Sequence, residues 1–88
     1  MKLVVNKCYG GFDLSKKAEK MLGVDSYDVE RNDPKLVQIV EELGEEASSG
    51  YAELRVVEIP DEATDFDISE YDGFETVVYV VNGKIKYA

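Results

Sequence analysis

The stretch that decides the fold class is Thr76-Val77-Val78-Tyr79-Val80-Val81-Asn82-Gly83-Lys84-Ile85-Lys86-Tyr87. The apolar run at 76–81 does not alternate in polarity, which is typical of an inner strand. Asn82-Gly83 is the strongest hairpin signal in the chain, because both central positions of a type I′ turn need positive φ. Residues 84–87 alternate like an edge strand whose lysines oppose edge-to-edge pairing. This end of the chain therefore predicts antiparallel sheet.

Three more strands are predicted upstream of this hairpin. The first is Leu3-Val4-Val5, a short apolar run without alternation, as expected of a strand covered on both faces. Residues 52–59 alternate at first and change phase at Val57, which a bulge or burial on both faces would explain. Residues 65–69 alternate in polarity, and Asp72-Gly73 then makes a turn.

Two helices are predicted between the first and second of these strands. One begins after Ser15, whose hydroxyl can cap the free N–H groups of the first turn, and it ends at Gly23. The other begins at Asp33-Pro34, since proline at the first helical position loses no hydrogen bond. It ends at Gly44 or continues to Ala47.

The predicted fold class is α+β, with a small, mostly antiparallel sheet of four to five strands and two helices packed on one face. Residues 24–32 fit a short strand or an extended loop equally well. A chain of 88 residues is short for more than one core, so residues 1–88 are predicted to form one acidic domain.

Composition excludes several function classes. The single cysteine allows no internal disulfide, which favours a cytoplasmic protein. No apolar run approaches the length of a membrane span, and residues 1–7 are predicted not to be a signal peptide. The net charge of −9 opposes direct binding of nucleic acid, whose phosphates attract lysine and arginine.

The acidic residues are concentrated in residues 41–75. This segment holds thirteen carboxylates and one base, Arg55, so it carries −12 while the rest of the chain carries +3. Such a surface either keeps the domain soluble or steers it to a basic protein partner. Aromatic side chains interleave with the acids, as in protein interfaces. The predicted partner-binding face consists of Glu41, Glu45, Glu62, Asp65, Asp67, Glu70, Asp72 and Glu75.

A second candidate site is the loop Cys8-Tyr9-Gly10-Gly11-Phe12 with Lys16 and Lys17 of the following helix. Glycine N–H groups and a helix start with lysines resemble a cradle for a small anion or a nucleotide. The loop has neither Walker nor Gly-x-Gly-x-x-Gly spacing, and the alternative is a tight turn whose aromatics pack on the core. Cys8 is interpreted as a buried, inert thiol, because no Cys-x-x-Cys motif is present.

Catalysis is the least favoured of the three function classes. The chain has no histidine and one cysteine, so it offers no recognisable nucleophile–base pair. We therefore predict no enzymatic activity, no cofactor and no metal site. The sequence leaves open whether the protein is a monomer or a homodimer.

Four segments carry a resemblance to a known family. The run Val4-Val5-Asn6-Lys7-Cys8-Tyr9-Gly10-Gly11-Phe12-Asp13-Leu14-Ser15 resembles the opening of a family of small proteins of tailed bacteriophages and prophages. Residues 33–37 with 40–44, residues 54–61 and residues 68–73 are similar to that family in the same order, while the carboxyl-terminal hairpin departs from it. The resemblance implies a viral origin and a location in the host cytoplasm, and it carries over no activity or catalytic residue.

Overall fold

The computed structural model describes all 88 residues as three stacked layers: two helices, a two-stranded ribbon and a three-stranded sheet. Its elements are β1 (Lys2–Asn6), α1 (Lys16–Leu22), α2 (Pro34–Leu43), a 3₁₀ turn (Gly44–Ala47), β2 (Leu54–Glu58), β3 (Asp65–Tyr71), β4 (Phe74–Val81) and β5 (Lys84–Tyr87). Neither helix has the length and apolar composition needed to cross a membrane.

All strand pairs are antiparallel, which confirms the predicted α+β class with five strands. The strands form two sheets rather than one, with β1 paired to β2 and the others ordered β3-β4-β5. The free edge of β1 is closed by other groups: the Val4 N–H donates to the carbonyl of Arg31, and the Asn6 N–H donates to the Glu75 carboxylate. Because these acceptors occupy the edge, β4 packs against the ribbon instead of pairing with β1.

The β1–β2 ribbon is covered on both faces, as its sequence predicts. Leu3, Val4 and Val5 are all 0% exposed. Val4 belongs to the core shared with the helices, whereas Leu3 and Val5 belong to the core shared with the three-stranded sheet. The phase change at Val57 follows from this two-sided burial, because Val56 packs on the helix side and Val57 on the sheet side. The register runs through without a bulge.

The predicted helix boundaries are confirmed. The Ser15 hydroxyl accepts the N–H of Ala18, and Gly23 closes α1 with a φ of 85°. Helix α2 ends at Leu43, and Gly44 opens a single 3₁₀ turn that reaches Ala47. Residues 24–32 form turns and loop and contain no strand. This loop brings Arg31 to the edge of β1.

We expect Asp33→Ala to lower the free energy of unfolding by about 1 kcal/mol, the usual effect of losing a helix N-cap. The Asp33 carboxylate accepts the N–H groups of Lys35 at 2.8 Å and Leu36 at 3.4 Å. Urea denaturation followed by circular dichroism measures the change. Asp25→Ala removes an exposed carboxylate from the preceding loop and serves as the control. An equal effect of both substitutions would contradict the capping role.

Candidate protein-binding surface

One face of the three-stranded sheet is turned away from the β1–β2 ribbon. Residues directly opposite each other in antiparallel strands share a face. The register therefore places Asp65, Val80 and Ile85 in one row, and Asp67, Val78 and Tyr87 in the next. We call these six residues the outer face. Their neighbours on the other side of the sheet, including Val77 and Tyr79, pack in the core.

The centre of the outer face, formed by Val78, Val80, Ile85 and Tyr87, is apolar and partly exposed. Ile85 is 62% exposed and Tyr87 70% exposed, while Val78 and Val80 are half-buried. Strand β4 lies at the centre of its sheet, as predicted, and its residues 77–81 form the apolar run typical of strands buried on both faces. It is covered on one face only. An uncovered apolar surface of this kind is typical of an interaction site.

The charges on the outer face are all negative. Asp65 and Asp67 lie on β3 beside the apolar centre. Lys84 and Lys86 lie opposite Val81 and Tyr79, so their side chains project from the other face of the sheet. The surface thus combines an aliphatic and aromatic centre with an acidic margin.

The two aspartates also close the free edge of β3. The N–H of Phe66 donates to the Asp65 carboxylate at 2.9 Å, and the N–H of Ile68 donates to the Asp67 carboxylate at 2.8 Å. Edge N–H groups that are satisfied within the strand do not readily pair with another chain. A partner would therefore contact this margin through side chains rather than by adding a strand.

Glu75 does not belong to the predicted acidic face. It is 5% exposed, and both of its carboxylate oxygens accept hydrogen bonds from the guanidinium of Arg31. Glu75 lies on the same face of β4 as buried Val77, so its side chain points toward the ribbon. A buried carboxylate needs a partner charge, and Arg31 supplies it.

The remaining predicted acids divide among the layers. Glu41 and Glu45 lie on the helix side of the ribbon, away from the outer face. Glu41 accepts a hydrogen bond from Lys2 at 3.1 Å, and this bond raises the pKa of Lys2 above its ordinary value. Glu62 lies in the loop before β3, and Asp72 lies in the turn after it. Only Asp65 and Asp67 are on the outer face itself.

The glycine loop is fixed to the turn between β3 and β4. The Asn6 side chain donates to the carbonyls of Cys8 and Gly73, both at 2.7 Å, and accepts the Glu53 N–H. The Gly10 N–H donates to the carbonyl of Asp72 at 3.0 Å. This loop is therefore a tight turn held by internal hydrogen bonds. The alternative prediction that its aromatics pack on the core is confirmed for Phe12 and wrong for Tyr9, which is exposed.

The loop residues do not converge on one site. Gly10, Gly11 and Phe12 line a cleft, whereas Cys8 lines a different hollow beside Tyr51 and is half-buried rather than buried as predicted. Tyr9 is 61% exposed and packs against Phe74 with ring centroids 5.5 Å apart. Lys16 and Lys17 are exposed on α1 and line neither space. The predicted anion cradle is therefore not assembled, because its lysines lie apart from its glycines.

The cleft beside Gly10 and Gly11 has a volume of about 430 Å³. Its other walls come from the 26–31 loop and from the β3–β4 hairpin. The larger side chains that line it are those of Phe12, Tyr27, Val29, Arg31, Glu70 and Glu75. The Arg31 guanidinium lies 3.7 Å from the centroid of the Phe12 ring. The cleft is thus built around the Arg31–Glu75 ion pair.

Two sets of residues in these surfaces were missed by sequence reasoning. The apolar residues of the outer face, Val78, Val80, Ile85 and Tyr87, were interpreted only as strand residues, whereas Asp65 and Asp67 had been predicted to bind a partner. Arg31 and Tyr27 come from the loop whose structure the sequence left open. An arginine in a mostly acidic loop was the one available hint, since arginine is the residue favoured for buried, bidentate pairing with a carboxylate.

Comparison of the chain with family models, with curated proteins and with solved structures finds no match. The resemblance to small proteins of tailed bacteriophages therefore stays a prediction from the sequence.

Proposed function

We propose that this protein is a non-enzymatic module that binds a basic protein partner through the outer face. The observation that carries the proposal is an apolar strand, β4, covered on one side only and bordered by Asp65 and Asp67. Exposed apolar patches inside a charged margin are characteristic of protein interfaces. The partner would present aliphatic side chains to the centre and lysine or arginine to the margin.

Charge selects the kind of partner. The protein carries −9 and its outer face has no basic side chain, so a positively charged surface is attracted over the whole approach. A second copy of the chain would bring the same aspartates and the same net charge, which opposes self-association. Nucleic acid is opposed by the same argument. A protein segment that is apolar in the middle and basic on one side fits best.

The proposal is tested by affinity capture from bacterial lysate at low salt and at roughly 0.5 M salt, where charge screening acts within a few ångströms. We expect a captured basic protein that the double variant Asp65→Asn/Asp67→Asn binds about tenfold more weakly. Asparagine keeps the oxygen that accepts the neighbouring N–H, so only the charge is lost. Ile85→Lys, at an exposed position, is expected to abolish capture.

The control is Glu41→Gln/Glu45→Gln, which removes the same charge from the helix side of the molecule. If both double variants weaken capture equally, the net charge of the protein rather than its outer face determines partner binding. Sedimentation of the protein alone tests self-association: a dimer that Ile85→Lys dissociates would assign the face to a second copy and overturn the proposal.

Binding of a small anion or nucleotide by the glycine loop is not retained as a second candidate, because Lys16 and Lys17 do not reach the cleft. A phage origin and a host-cytoplasm location fit a small binding module but stay predictions from the sequence.

A further inference from the structure

The cleft between the glycine loop, the 26–31 loop and the β3–β4 hairpin is lined by the Arg31–Glu75 ion pair and by Glu70. We infer that this cleft receives a lysine or arginine side chain of the basic partner. The inference rests on the proposed function and adds to it a second, specific contact beside the outer face.

The charges that line the cleft favour a cation. The Arg31 guanidinium donates to both oxygens of Glu75 and lies over the Phe12 ring, so its positive charge is already matched. Glu70 adds a further carboxylate, and one of its oxygens accepts the N–H of Gly73 at 2.8 Å. With Arg31 and Glu75 cancelling, Glu70 leaves the cleft at a net charge of −1. An anion would be repelled, and an ammonium or guanidinium would be attracted.

The walls of the cleft suit a long side chain with a charged end. Val29 and the Phe12 ring offer apolar surface for a methylene stem, while Glu70 offers a carboxylate for its head. Tyr27, which is 95% exposed, also lines the cleft. An exposed aromatic ring at the wall of an acidic cleft is suited to cation–π contact.

The position of the cleft fits a partner that already covers the outer face. Glu70 lies on β3, the same edge strand that carries Asp65 and Asp67. Along a strand, Glu70 projects to the opposite face from those aspartates. A partner that crosses the edge of β3 would therefore meet Asp67 on one side and reach Glu70 on the other.

Amide NMR of the full chain tests the cleft directly. The probes are N-acetyl-arginine amide, N-acetyl-lysine amide and inorganic phosphate, and the reporters are the amides of Gly10, Gly11 and Gly73. We expect both cations to shift these three signals in a saturable manner and phosphate to leave them unchanged. Glu70→Gln, which keeps the acceptor for the Gly73 N–H, should weaken cation binding about tenfold. Tyr27→Ala should weaken it about threefold.

Glu62→Gln is the matched control, because it removes an exposed carboxylate that lies outside both the cleft and the outer face and should leave the titration unchanged. The inference is overturned if neither cation moves the glycine amides, if phosphate moves them instead, or if Glu70→Gln binds as well as the unchanged protein. These results are independent of the capture experiment. If Asp65→Asn/Asp67→Asn loses lysate binding but neither cation binds in the NMR titration, the proposed function is supported and the cleft has no part in it.

Discussion

Arg31→Ala is expected to lower the free energy of unfolding by about 3 kcal/mol, since removing one partner of a buried ion pair leaves an unpaired buried charge. The Glu75 side chain is 7% exposed and the Arg31 side chain 24% exposed, so water cannot fully replace the guanidinium. Arg31 also donates to the carbonyl of Val4 and stacks on Phe12. One side chain therefore joins β1, β4 and the glycine loop. Urea denaturation followed by circular dichroism measures the loss.

Arg55→Ala provides the matched control. Arg55 pairs with Glu53 on the surface, where both side chains are more than 40% exposed. Exposed pairs of this kind contribute between zero and about 1 kcal/mol. Equal destabilisation by the two substitutions would contradict a structural role for the Arg31–Glu75 pair. A further variant, Arg31→Met/Glu75→Gln, should recover much of the stability, because it leaves no buried charge without a partner and keeps an oxygen that accepts the Asn6 N–H.

Gly73→Ala is expected to lower the free energy of unfolding by about 3 to 5 kcal/mol, the sum of left-handed strain and a backbone clash. Gly73 has a φ of 90°, and an added Cβ would lie 2.1 Å from the amide nitrogen of Gly11 and 2.7 Å from that of Gly10. Both contacts are with backbone, so no side chain can move aside. The glycine loop would have to leave the hairpin.

Gly83→Ala separates the two causes. Gly83 occupies the equivalent position of the β4–β5 hairpin with a φ of 75°, and an added Cβ there meets nothing within 4 Å. Gly83→Ala should therefore lower the free energy of unfolding only by the strain of a left-handed backbone, about 1 to 2 kcal/mol. If both substitutions cost the same, close approach of the two loops is not what requires glycine at 73. A change in the NMR chemical shift of the Gly10 amide in Gly73→Ala, but not in Gly83→Ala, would confirm that the glycine loop has been displaced.

The features predicted from sequence are those that depend on neighbouring residues. Both hairpin turns are formed as Asp72-Gly73 and Asn82-Gly83 predict, with φ of 50° and 53° at the first residue of each pair. The two helices begin directly after their N-caps, Ser15 and Asp33, because each cap binds N–H groups within three residues of itself. Hydrogen bonds between neighbouring residues determine where these turns and helices form, so a local sequence pattern is sufficient to predict them.

The features that escaped prediction depend on residues far apart in the chain. Glu75 was grouped with twelve other acids by charge, although its alternation with Val77 and Tyr79 places it on a buried face. Its partner Arg31 is 44 residues away. The division into two sheets likewise depends on the Arg31 carbonyl and the Glu75 carboxylate closing the edge of β1. No local sequence pattern predicts that these two groups lie at the free edge of β1.

The long span of the ribbon has a kinetic consequence. Lys2 pairs with Glu58, so the ribbon forms only after the long stretch of chain between β1 and β2 has closed into a loop, which is a slow step in folding. The β3-β4-β5 sheet is built from neighbouring strands and two tight turns, and such local structure forms quickly. Both of its faces are then exposed until the ribbon completes the domain. During that interval the carboxylates of Asp65 and Asp67, by capping their own edge, would also guard a nascent sheet against aggregation.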